Sequence, residues 1–143
     1  MFMKVKVSDA ITLICFAALQ YFSNVARFYF DHKGQPDASV FFMTFPFLFI
    51  TTVWAFYHAW RYPITRNMVS LSACMIGIAV GQALSFLAWV VEHVLPATWD
   101  THWGLGIMIS LYYMMMSLAL VAIAFSVGIC FGKFASGKIF ERA

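Results

Sequence analysis

Four apolar stretches, at about residues 8–30, 40–60, 68–93 and 103–132, take up most of a 143-residue chain. A helix rises about 1.5 Å per residue, so roughly 20 apolar residues carry it across about 30 Å of hydrocarbon, and each stretch is that long. The pattern predicts an all-α fold, an integral membrane four-helix bundle. With 63% hydrophobic and 10% charged residues, the chain has too few polar groups to cover a water-soluble globule. What remains for loops and tails is too short for a second folded unit, so residues 1–143 are expected to form one transmembrane domain, closing on a short basic tail at 133–143.

Lys4 and Lys6 ahead of an apolar run resemble the start of a signal peptide. The run is longer than a signal core, however, and the bulky, charged segment Arg27-Phe28-Tyr29-Phe30-Asp31 offers no small-residue cleavage site, so helix 1 is expected to stay in the mature protein.

The excess of Lys and Arg marks the cytoplasmic side of a membrane protein. Lys4, Lys6, Arg61, Arg66, Lys133, Lys138 and Arg142 fall on one side, where Asp9 and Glu141 leave a net charge of +5. Arg27 and Lys33 are the only bases on the other, where Asp31, Asp37, Glu92 and Asp100 leave −2. An up-down-up-down path with both termini cytoplasmic is therefore expected. Trp54, Trp60 and Tyr62 read as an inner aromatic belt and Trp99 and Trp103 as an outer one. Pro36, Pro63 and Pro96 fall at connections, while Pro46, in about the second turn of helix 2, predicts a modest bend.

Lipid does little to press helices together, so small residues and hydrogen bonds must supply specificity. In helix 3, Cys74, Gly77, Gly81, Ser85 and Ala88 recur at spacings of three and four, and Gly77 to Gly81 is a GxxxG match, for contact within the chain or with a second copy. Helix 4 carries Ser110, Ser117, Ala124, Gly128 and Gly132 on a similar face, which makes helices 3 and 4 the expected partners. Helix 1 lines up Gln20, Asn24 and Arg27. An unpaired polar group in hydrocarbon is costly, so this line should face protein, with Arg27 paired to Asp31 or Glu92; it is either a packing device or a polar path or cleft.

Chemistry is harder to find. His32, His93 and His102 gather with Asp31, Asp37, Glu92 and Asp100 at the outer rim, but without the His-x-x-x-His or Cys-x-x-Cys spacing that fixes metal ligands on one element; no metal and no cofactor is expected. His58, alone near the inner end of helix 2, reads as interfacial. Cys15, Cys74 and Cys130 read as buried packing thiols, and Met114, Met115 and Met116 as packing. No nucleophile elbow, phosphate loop or mid-helix acid is present.

These features rank a non-catalytic inner-membrane subunit first, one that anchors, senses or assembles with partner proteins. Small proteins of this architecture include immunity, exclusion and phage-defence membrane components, an analogy of architecture alone. Its expected partners are membrane lipids together with further copies of itself or another protein, not nucleic acid, and the expected location is a bacterial inner membrane. A homo-oligomeric channel or small-solute transporter ranks second. A lipid-modifying enzyme using Glu92, His93, Asp100 and His102 at the outer rim ranks last.

Overall fold

In the computed structural model, residues 6–91 and 103–137 are described. They form four helices: α1 Val7–His32, α2 Pro36–Arg61, α3 Ile64–Trp89 and α4 Trp103–Ala135. Each is long and apolar enough to cross a membrane.

Local chemistry sets the helix ends. The backbone N–H of Lys6 donates to Asp9 Oδ2 at 2.9 Å, closing the first turn of α1. At the other end Gly34 takes φ 69°, a left-handed conformation that glycine adopts without strain. The N–H of Gln35 reaches Phe30 O and that of Gly34 reaches Asp31 O, so two carbonyls left over at the helix end are satisfied. Pro36 then opens α2 at a position where a missing N–H does no harm. α2 starts earlier than its apolar run implies, which puts Pro46 deeper in the helix than expected, and the helix continues through it to Arg61. Pro63 is the N-cap of α3, so the α2–α3 connection is only Tyr62 and Pro63.

The closest neighbours are α1 with α3 and α2 with α4; α3 and α4 meet more thinly. The expected pairing of helices 3 and 4 is thus corrected. Spacing of small residues marks a face that another backbone can approach, but it does not say which backbone. A Cβ added to Gly77 would stand 2.5 Å from Leu13 O, and one on Gly81 would strike Ala17 and Gln20, so this stripe receives α1. One on Gly128 would stand 2.6 Å from Thr52 O, and one on Gly132 2.6 Å from Phe56 O, so that stripe receives α2.

Contacts advance together along each close pair. Asp9 meets Arg66 and Gln20 meets Gln82, so α1 and α3 run in the same direction. Gly128 lies by Thr52 and Lys133 by Tyr62, so α2 and α4 do too. Phe30 stacks on Phe42 while Phe16 meets Trp54, which makes α1 and α2 antiparallel.

Between these helices Phe16, Phe47, Cys74, Ile78 and Val121 form the buried core, with Leu19, Leu71 and Leu118 packed against it. Trp54 belongs here, its ring edge-on to Phe16 at 6.0 Å and tilted toward Phe125. It is partly buried against this core, whereas Trp60 and Tyr62, read with it as the inner belt, are exposed. Only Cys74 of the three cysteines is buried, since Cys15 and Cys130 lie on the outer surface. Much of that surface is apolar. Phe41, Phe45 and Phe49, four residues apart, stack into an exposed ridge along α2.

Candidate functional site

Two polar layers flank the apolar core, one toward the α1–α2 turn and one toward the α2–α3 turn. In the first, Gln82 of α3 is the hub. Gln20 Nε2 donates to its Oε1 at 2.6 Å, and Asn24 Nδ2 donates to the same oxygen at 2.8 Å and to Ser85 Oγ at 2.8 Å. Gln82 Nε2 in turn donates to Ser110 Oγ of α4 at 2.8 Å. Three helices are tied through one amide, and the buried Gln20 Oε1 keeps no partner. Gln20, Asn24 and Ser85 thus come together as a polar cluster, and Ser85 also lies on the small-residue stripe.

One turn further on, Arg27 is only 8% exposed. Its Nη1 meets Asp31 Oδ2 at 3.3 Å, one of the two expected partners, and its guanidinium lies 4.0 Å from the centre of the Tyr113 ring and 4.7 Å from that of Phe28. A cation over aromatic faces is attracted by their quadrupoles, and the contact strengthens where water is scarce. Nε has no partner. Glu92, the other partner considered for Arg27, lies outside the described residues, as do His93, Asp100 and His102 of the outer-rim cluster.

Above the Gln82 hub a cleft of about 660 Å³ opens between the end of α1, the end of α3 and the start of α4. Arg27, Asn24, Gln82 and Ser110 supply its polar wall, and Tyr21, Phe86, Trp89 and Tyr113 much of its apolar one.

The second layer holds an ion pair that sequence reasoning passed over. Arg66 grips Asp9 with both ends of its fork, Nη2 to Oδ1 at 2.6 Å and Nη1 to Oδ2 at 2.9 Å, and also donates to Ser8 Oγ. Asp9 is 4% exposed. His58, which the sequence places near the inner end of helix 2, is buried against protein, stacked on Trp54 at 4.2 Å and 3.4 Å from Ser70 Oγ. The ring of Trp54 on its own helix, that of Tyr62 just past the helix end and the Ser70 hydroxyl of α3 enclose it. Beyond it, Asn67 is fully buried with neither amide atom partnered, and Thr51 Oγ1 is likewise alone.

Gln82, Asp9, Arg66 and Asn67 were the polar residues missed. A single amide inside an apolar run carries a signal, because it must find a partner. For Asp9 and Arg66 the signal was two opposite charges at the same end of two odd-numbered helices. Among the described residues no three His, Cys, Asp or Glu side chains gather as a metal set.

Fold and hydropathy define this as a multi-pass membrane protein of four apolar helices. Compared with protein-family models, curated proteins and solved structures, the chain matches none.

Proposed function

We propose that this chain is a non-catalytic subunit of a membrane assembly. It crosses up-down-up-down with both termini cytoplasmic and anchors, senses or assembles with partner proteins, in a bacterial inner membrane. One observation carries this reading: the interior amides bind one another across α1, α3 and α4 through Gln82. Groups used in this way fix the arrangement of the helices and are not free to attack a substrate or hand on an ion. Outward, the bundle shows the apolar ridge of Phe41, Phe45 and Phe49, a surface for lipid or for another apolar helix.

A homo-oligomeric channel is the second reading. It would place a polar line on the outer surface, facing a shared axis, whereas Gln20, Asn24 and Gln82 turn inward. The basic side of the chain, with net charge +5, supports cytoplasmic termini through the rule that Lys and Arg are retained inside.

The test joins crosslinking to flux. A photoreactive side chain at Phe45, activated in native membranes, should give one discrete adduct with a second copy or another membrane protein, and the purified chain should leave liposomes sealed to ions. A ladder of lipid adducts only, together with ion flux abolished by Asn24→Leu, would overturn the subunit reading in favour of the channel.

A further inference from the structure

We infer that the cleft beside Arg27 binds a single-chain amphiphile with a carboxylate head, of the free fatty-acid class. This goes beyond the subunit reading and needs only that the bundle sit in a bilayer, so either can fail alone.

Hydrogen-bond accounting identifies the head. Along the polar wall the amide N–H groups of Asn24 and Gln82 already donate within the protein. Arg27 is the exception. Asp31 takes Nη1 by a long contact of 3.3 Å, Nε has no partner, and among the described residues no hydrogen bond is made by Nη2. Nε and Nη2 form one edge of the guanidinium fork, whose two parallel N–H groups match the two oxygens of a carboxylate. The rings of Tyr113 and Phe28 against the guanidinium hold that fork in place. A buried donor left without an acceptor is unfavourable, and an anionic acceptor satisfies it best.

Size and lining identify the tail. About 660 Å³ falls inside the range of roughly 300–1,000 Å³ typical of small-molecule sites, room for one chain and not for a two-chain phospholipid. Phe86, Trp89 and Tyr113 offer the apolar wall that such a chain requires. Trp89 also makes binding visible.

The experiment uses the full chain in zwitterionic nanodiscs, titrated with cis-parinaric acid, a fluorescent polyene fatty acid that accepts energy from tryptophan. Saturable transfer is expected. Arg27→Gln should weaken it by about tenfold or more, with Arg27→Lys restoring only part, because an ammonium lacks the planar fork. Asp31→Asn should tighten binding by roughly threefold, since a competing carboxylate is neutralised. Ile109→Trp, which puts bulk into the cleft from α4 and leaves the Arg27 side chain itself in place, should abolish it. Non-saturable transfer, equal binding of the methyl ester, or equal binding of a parinaroyl phosphatidylcholine would overturn the assignment. If Arg27→Gln fails to fold, Asp31→Asn and Ile109→Trp decide: wild-type affinity in both would sink it.

Discussion

At the scale of single residues, the strongest commitment in the bundle is Gln82, an amide with 1 acceptor oxygen serving two donors and its own nitrogen bound to a third helix. Hydrogen bonds between membrane helices contribute about 0.6 kcal/mol each on average, so Gln82→Leu should destabilise the bundle by roughly 2 kcal/mol, read by unfolding in mixed micelles. Ser110→Ala, which removes only the outermost bond, should lose far less; equal losses would show that the bonds from Gln20 and Asn24 add nothing. The Asp9–Arg66 pair behaves differently. Both side chains are largely withdrawn from water, at 5% and 14% exposure, so removing one strands the other. Asp9→Ala should cost about 3 kcal/mol, whereas Asp9→Ala with Arg66→Met should recover much of it, because the penalty comes from the orphaned charge. If the double variant is as unstable as the single one, the pair is not what holds this end of the bundle.

Between helices, small-residue faces decide who packs with whom, and here the limits of reading a sequence are physical. The four apolar runs are visible because hydrocarbon demands them, and the Gly34-Gln35-Pro36 turn shows plainly where α1 must end. The Gln20, Asn24, Arg27 line was legible as an inward face because three and four are helical spacings, and the Arg27–Asp31 pair because it closes one turn. Tyr113 over Arg27 was not, for the contact depends on how α4 comes to rest against α1. The same holds for Gly77 and Gly128, whose spacing announces a close approach without naming the neighbour. Structure assigns Gly77 and Gly81 to α1, and Gly128 and Gly132 to α2. Ala59→Cys with Gly132→Cys, in a background lacking the native thiols, should therefore oxidise to a disulfide within one chain, seen by mass spectrometry of the linked peptides. Their Cβ atoms start 2.8 Å apart and would need to ease to roughly 3.5–4.5 Å. Gly77→Leu should drive α1 and α3 apart and destabilise by about 1–3 kcal/mol, as overpacking does. A neutral Gly77→Leu would remove the argument that this face receives a backbone.

For the molecule as a whole, the two ends differ in charge and in polar design, and these differences point the same way. The end holding the α2–α3 turn carries the Asp9–Arg66 pair, with Lys133 on the carbonyl of Tyr62 close by. Pairing Arg66 with Asp9 does not remove it from the orientation count, because insertion reads Lys and Arg and gives acids little weight. In the proposed orientation, this end is held inside by bases that also brace the fold. The other end keeps Arg27 folded against Tyr113 and close to Asp31, and Lys33 is the second of its two bases. A reporter active only in the cytoplasm should work when fused after Ala143 and fail when inserted at Gly34. The telling variant cuts the bias in Lys and Arg from seven against two to five against four at sites outside the core: Arg61→Gln with Lys133→Gln on one side, and Gln35→Lys with Asp37→Lys on the other. Arg61 is exposed and Lys133 bonds only a surface carbonyl, so the bundle should survive while the reporter signal at Ala143 falls and a fraction of chains invert. An unchanged signal would mean that orientation is set elsewhere, by the helices themselves and not by the charge on their connections.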